Sequence, residues 1–542
     1  MYFTLAVSAA TAAGCAALAD RARITDPAVM PLPGPASVVW RAPDGRAAML
    51  RWGGPGGGTG GGTVPGAAVP GADPAAPATS RAGTIWAGPA TPGSDRAAVY
   101  ARTSLTRVDP VYVAEMPGAV IVSDRATWAA AVAGRLSDHD PMLACGLLNL
   151  GFPVGAVTPF KGVSALPPST TLHALHGVSA TAADRGGARA DAARAQDVAT
   201  ALVEAVAPLR GAGQPVELSL TGGKDSRLVA AALVAAGVPV RARTHGFAAH
   251  PDVVIAAEIA RRLGIEHAVT APAAPGQQTD VLGRLRAAVL VADGMLSAFE
   301  NVGRPDPARP AAVTAGGHGG ELLRGGYAET AAGRRAAPLR AAELLRRLTT
   351  GHIGLLRRGA AAGYVASLAP WTAALARAPL PALDDFYLVN RAGRWSAAAR
   401  QAYLLRENLV QPLFDDRVVR AARAVPLAER VSGELSRSVL AMLCPGLADV
   451  PLAGKAPAGT APAPFDWRRQ YGAQVASFLR DYVLDHGTAG GLFEVVSRPA
   501  AEKVLAPPHA DRASVWALAT LACLLSADYR NAREPAPLLT VT

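Results

Sequence analysis

Two stretches of this chain concentrate residue types able to do chemistry. The first is Thr221-Gly222-Gly223-Lys224-Asp225-Ser226, preceded by the apolar run Val216 to Leu220 and followed by the helix-forming run Arg227 to Leu233. A strand that turns through two glycines into a helix lets the backbone approach an anion closely. The helix start adds unpaired N–H groups and the positive end of its dipole. That combination suits a phosphate. Thr221 and Ser226 supply hydroxyl donors, and Asp225 is the type of residue that holds a magnesium ion bridging phosphate oxygens. The loop is not a Walker A motif, because GxxxxGK[ST] is absent. The plain alternative is a strand–helix junction turned by glycines, with no ligand.

The second stretch, residues 313–327, reads Val-Thr-Ala-Gly-Gly-His-Gly-Gly-Glu-Leu-Leu-Arg-Gly-Gly-Tyr. Gly316, Gly317, Gly319 and Gly320 flank His318, and Glu321 follows. Such a turn lets backbone pass close to a ligand and presents the His and the acid to it. His245, at the end of a strand-like run from Val238, has the chemistry of a ligand or base, or is simply polar at a strand end. Among 53 basic residues only Lys161, Lys224, Lys455 and Lys503 are lysines. Against that drift towards Arg, Lys224 in the first loop and Lys455 in a Gly/Pro-rich stretch call for inspection, although a solvated loop lysine is the bland reading of Lys455.

The elements that must position these residues are legible in outline. Strand signals run through Tyr2–Val7, Ser37–Trp40, Ala47–Leu50, Val99–Arg102, Pro110–Val113, Ala119–Val122 and Thr170–Leu172, which makes the first 175 or so residues β-rich. Between them, Gly53 to Pro92 is a Gly/Pro/Ala/Thr stretch in which more Gly and Pro follow where a phosphate cradle needs a helix, so a surface loop is expected. Helical spacing then begins, from Ala188 to Leu209. Strand-like and helical runs alternate after it, with a helix over Asp252–Leu263 and a short strand opening at His267, the pattern of an α/β fold. Helices dominate 333–445, and 446–466 is again Pro/Gly/Ala-rich. The expected boundary divides the chain into domains 1–178 and 179–542.

Composition sets outer limits. With 542 residues, 50% hydrophobic and 18% charged, the chain has enough apolar material for full-sized cores, which argues against a wholly disordered or fibrous chain. The net charge of +11 permits an anionic partner, yet no run of five basic residues exists, so no nucleic-acid partner is expected. Cys15, Cys145, Cys444 and Cys523 are far apart, with no zinc spacing, and a reducing cytoplasm is the simplest setting. The first 19 residues are uncharged and Ala-rich but only weakly apolar and lack a preceding basic residue, so neither a secretion signal nor a membrane anchor is expected.

Together the two loops resemble the asparagine synthetase family, whose synthetase domain carries SGGxDS and then SGEGADELFGGY. Thr221 stands for the first Ser. Aligned without gaps, Gly316-Gly317 fall on the Ser-Gly that contact the adenylate, His318 on the Glu, Glu321 on the magnesium-binding Asp and Tyr327 on the closing Tyr. Downstream, Gln411-Pro412-Leu413-Phe414-Asp415 resembles that family's VPFLD, and Arg417 to Pro426 the stretch after it. Lys455 sits where the family keeps a lysine that neutralises departing pyrophosphate. In the N-terminal part, Asp109-Pro110-Val111-Tyr112 and Gly155 to Val163 resemble the class II glutaminase-like domain.

The resemblance implies an Ntn-type αββα sandwich followed by an adenine-nucleotide α-hydrolase-like domain with a five-stranded parallel sheet. It implies ATP and Mg2+, with ATP and pyrophosphate held by Leu220, Thr221, Gly222, Gly223, Lys224, Asp225, Ser226, His245, Gly316 and Gly317. Metal would sit on Asp225 and Glu321, and Lys455 and His318 would be catalytic. A class II glutaminase uses an N-terminal cysteine as nucleophile. Here residue 2 is Tyr2 and the first cysteine is Cys15, so release of ammonia from glutamine is not expected. Branches lacking that cysteine include β-lactam synthetases and the macrocyclases of lasso peptide biosynthesis. The latter implies a precursor peptide as substrate, with a leader-binding protein and a leader peptidase as partners. Small-molecule amide or lactam synthesis and a catalytically silent scaffold stay open.

Overall fold

The computed structural model describes residues 3–23, 27–30, 36–52, 84–89, 96–183, 194–271, 278–300, 312–329, 336–349, 352–453, 466, 468–507 and 511–540. The N-terminal part is built on two antiparallel sheets. One has the strand order β2 (Ser37–Arg41), β3 (Ala47–Trp52), β1 (Phe3–Ala9), β7 (Ala119–Ser123), β6 (Tyr112–Met116), β8 (Val163–Ala165). The other runs β10 (Val178–Ala183), β9 (Thr170–Leu175), β5 (Ala97–Arg102), β4 (Thr84–Pro89).

The period of two decides where each residue goes. In β1, Phe3, Leu5 and Val7 join the core under the helices, while Ala6 joins Met49, Val99, Ala101, Val120 and Leu172 between the sheets. The apolar opening run is therefore a central strand, buried on both faces. Helices α1 (Ala12–Arg23) and α2 (Ala126–Ala133) pack on the six-stranded sheet, and α3 (Pro141–Leu150) follows them in the chain. Cys15, Leu18, Ala19 and Ala22 are the buried residues of α1, spaced as a helix face requires. Its Ala-rich sequence blurs the polar face, so helical spacing is hard to see in it. Strand β10 extends past residue 178 within the first part's own sheet.

The second part carries a five-stranded sheet in the order β13 (Glu266–Thr270), β12 (Val240–His245), β11 (Val216–Ser219), β15 (Val313–Ala315), β16 (Asn408–Val410), and every pairing in it is parallel. A two-residue strand, β14 (Gln278–Thr279), pairs apart from it with β17 (Leu539–Thr540). Helices α4 (Ala195–Val206), α5 (Lys224–Ala235) and α6 (Pro251–Leu263) enclose this sheet, with Leu202, Leu228, Leu233 and Ile259 in its core. The helical run expected from Ala188 is described only from Ala195, and a single 3-10 turn closes it at Ala207–Gly211. Among the described residues no helix is long and apolar enough to cross a membrane.

The two parts share one core. Trp128 of α2, Val289 of helix α7 (Val281–Val291) and Trp516 of the helix Arg512–Leu525 all belong to it and are 0–1% exposed. Buried arginines pin the boundary. Arg125 pairs with Asp293, both side chains fully buried, and donates to the carbonyls of Leu290 (2.8 Å) and Val291 (3.2 Å). Arg107 donates to four carbonyl oxygens, those of Gly155, Leu166, Val389 and Gly393, at 3.2–3.3 Å. Two of these lie in a π-helix, Tyr387–Ser396, a form that is rare and often marks functional regions.

Candidate active site

Strand order determines where a site can form. The chain leaves β11 towards β12 and β13 on one side, then returns to place β15 and β16 on the other. The switch lies between β11 and β15, and in open parallel sheets the crevice beyond the strand ends at such a switch receives ligands. The first loop, 220–226, follows β11, and the second, 316–321, follows β15. Residues nearly a hundred apart in sequence thus meet. A Cβ on Gly317 would lie 2.6 Å from the Ser226 nitrogen, and one on Gly320 would lie 2.1 Å from Asp225 Cγ. Neither glycine can carry a side chain while the loops stay this close.

The first loop is braced by its own side chains. The Thr221 N–H donates to Ser226 Oγ (3.1 Å), and the Gly223 N–H to Thr221 Oγ1 (3.1 Å). Gly222 N–H donates to Asp252 Oδ1 (3.0 Å) at the start of α6. Leu220 is buried beneath the loop, and Thr221 and Lys224 are exposed on it. No side chain caps the first turn of α5. Arg227 is buried and donates to the carbonyls of Gly222 (3.0 Å), Gly223 (3.1 Å), Val450 (2.8 Å) and Pro451 (2.9 Å). It ties the loop to the segment that ends at Ala453, whose N–H donates to Gly222 O (3.0 Å). Lys455 lies outside the described residues.

On the second loop His318 is exposed, and Gly316 leaves room beside its ring (a Cβ there would sit 3.5 Å from Nδ1). Phe414, within the Gln411–Asp415 stretch after β16, fills the space under Gly319. His245 is exposed at the C-terminal end of β12, on the same edge of the sheet. Its neighbour Thr244 turns the other way and bonds Leu220 O (2.7 Å) and His267 Nε2 (2.8 Å). Glu321 is half-buried beside the Tyr387 hydroxyl; burial and then that carboxylate raise the phenol above its usual range.

Charge at the junction is organised by Arg324, to which the sequence reading gave no role. Its Nη1 and Nη2 donate to the two oxygens of Asp225, the second at 3.1 Å, and its Nε lies 2.8 Å from Glu329 Oε1. Glu329 also accepts from Lys224 Nζ (3.0 Å). Burial raises the Asp225 carboxyl, and Arg324 opposes that rise. For Glu329 burial works the same way, but Arg324 and Lys224 outweigh it and hold the group below the usual carboxylate range. The available signal for Arg324 was a lone cation between Leu322-Leu323 and Gly325-Gly326, three residues after an acid.

Magnesium held mainly through phosphate oxygens needs one or two protein carboxylates. Asp225 and Glu321 meet that number, and among the described residues no cluster of three or more His, Cys, Asp or Glu exists to hold a metal without phosphate. Cys15, the first cysteine, is buried in α1, and burial pushes its thiol up to about 11, which leaves it protonated at neutral pH. Residues 197–403 match the family model described as asparagine synthase. Among curated proteins no relative matches the chain.

Proposed function

We propose, for a chain that belongs through residues 197–403 to the asparagine synthase family and is an ATP-dependent, amide-forming carbon–nitrogen ligase, that its reaction is lasso peptide macrocyclization. A side-chain carboxylate of an Asp or Glu in a precursor peptide attacks the α-phosphorus of ATP, and the bond to pyrophosphate breaks. The peptide's N-terminal amine then attacks the acyl carbon, AMP leaves, and the amine gives up a proton. The product is an isopeptide ring.

The observation that carries this reading is the junction of the two glycine loops at the strand switch. Residues Leu220 to Ser226, with Gly316 and Gly317, would bind the nucleotide, and His245 stands at the same edge. Magnesium on Asp225 and Glu321 would offset charge on the phosphates. Lys455 would neutralise the leaving pyrophosphate. His318, exposed on the second loop, would either take the amine's proton or shape the pocket. Four free cysteines accord with a cytoplasmic setting, where a leader-binding protein and a leader peptidase would act alongside.

Mass spectrometry of an acidic precursor peptide incubated with the protein, ATP, Mg2+ and those partners tests the reading. A product lighter by one water, with AMP and pyrophosphate formed, is expected. AMP without that mass loss would replace the peptide acceptor by a small molecule, as in lactam synthesis, or by water. No AMP with any acidic peptide or small carboxylic acid would leave a silent scaffold. His318→Phe is expected to slow amide formation about 100-fold with ATP–pyrophosphate exchange kept; loss of ATP affinity alone would remove the base role.

A further inference from the structure

Arg324 falls on the phenylalanine of SGEGADELFGGY, so the family resemblance assigns it nothing. Yet its side chain is only 6% exposed and sits between the two loops. It donates to both oxygens of Asp225 and to Gly320 O (3.1 Å), while its Nε faces Glu329. A guanidinium fork on a carboxylate is a strong, geometrically specific pairing. It covers the same two oxygens that a metal ion would use.

We propose that Arg324 is a positioning residue that holds Asp225 closed to divalent cations until the phosphates of ATP arrive. Without nucleotide, a cation entering the junction must displace the Arg324 fork and gains only protein carboxylates. With nucleotide, the phosphate oxygens supply most of the coordination. They also offer the displaced guanidinium new acceptors. Metal and nucleotide therefore bind together, and Asp225 exchanges Arg324 for metal in the same event. Gly320 makes this possible, since any side chain there would push the carboxylate off the fork. Glu329 holds the far end of Arg324 and, through Lys224, links the exchange to the exposed face of the loop.

The proposal rests on the ATP-dependent reading, and its test separates the two. Mn2+ binding to the full-length protein is followed by electron paramagnetic resonance without nucleotide. Wild type should show no site at Asp225, and Arg324→Ala should gain one, at least about tenfold tighter. Adding Asp225→Asn to Arg324→Ala should abolish it. Arg324→Lys, which keeps the charge and loses the fork, should be intermediate, and it carries the test if the alanine variant does not fold. A wild-type protein that binds Mn2+ without nucleotide as tightly as the variants would overturn the proposal. So would variants that gain no site. Binding of a fluorescent ATP analogue to wild type is measured alongside. Its absence would remove the ATP reading whatever the Mn2+ result.

Discussion

Two buried arginines, Arg107 and Arg324, hold different parts of this molecule, and they do so by opposite means. At the boundary between the two parts, Arg107 is 1% exposed and meets four backbone carbonyls. Burial, and then the neighbouring Arg394, push its guanidinium down to about 9. At the loop junction, Arg324 is almost as buried but meets two carboxylates, and despite burial they raise its guanidinium above the ordinary value. Carbonyl dipoles belong to rigid backbone and cannot be exchanged for a ligand. Carboxylates can change partners when a polyanion and its counter-ion arrive. The first arrangement fixes a scaffold; the second stores a replaceable charge.

Variants can break or sharpen that contrast. The largest expected effect is at the scaffold: Arg107→Ala orphans four acceptors and is expected to cost about 3 kcal/mol or more in urea unfolding. A loss below about 1 kcal/mol would mean that Arg107 does not pin the boundary. Gly320→Ala should do the reverse, lowering ATP–pyrophosphate exchange about 100-fold by displacing Asp225, with little change in the urea midpoint. Equal damage to folding would erase the distinction between the regions. Arg227→Ala lies between them, since that arginine ties carbonyls at the loop itself. It should weaken ATP about tenfold, and Arg227→Lys should recover part of that; a variant that binds ATP normally would class Arg227 with the scaffold.

The smallest effect is expected for Glu329→Gln, about threefold on pyrophosphate affinity, because its partner Lys224 is 45% exposed and screened. This variant also carries a pH signature. A carboxylate lowered on folding stabilises the protein above its unfolded pKa, and that contribution fades as pH falls through the lowered value. Glu329→Gln should therefore flatten the acid limb of stability below the ordinary glutamate range. An unchanged acid limb would show that the Arg324–Glu329 contact contributes nothing in solution.

Much of the site could be read along the chain. The strand-to-helix turn at 220–226 was legible because its apolar run, two glycines and helix formers are contiguous. The strand and helix at 240–263 followed from period alone. The second loop was legible as a glycine turn presenting His318 and Glu321. Helix α1 escaped because alanine-rich faces carry little contrast, and the π-helix at 387–396, two of whose carbonyls accept from Arg107 of the first part, carries no local signal that separates it from an α-helix. Arg324 and Arg227 escaped because the partners that tie them across the fold, Asp225 for the one and Val450 and Pro451 for the other, lie 99 and over 220 residues away.

By itself, then, the sequence determined the local pieces: which runs alternate, which follow a helical period, and where glycine must turn the chain. Those features depend on neighbours a few residues apart, whose sterics and burial preference act before any global fold exists. The tertiary structure alone decided that β11 and β15 lie side by side and that Gly320 abuts Asp225. It also decided that one arginine holds two carboxylates from different segments. Such pairings arise when packing of a whole sheet and its helices fixes the strand order, and only then can charges from distant segments share one buried site.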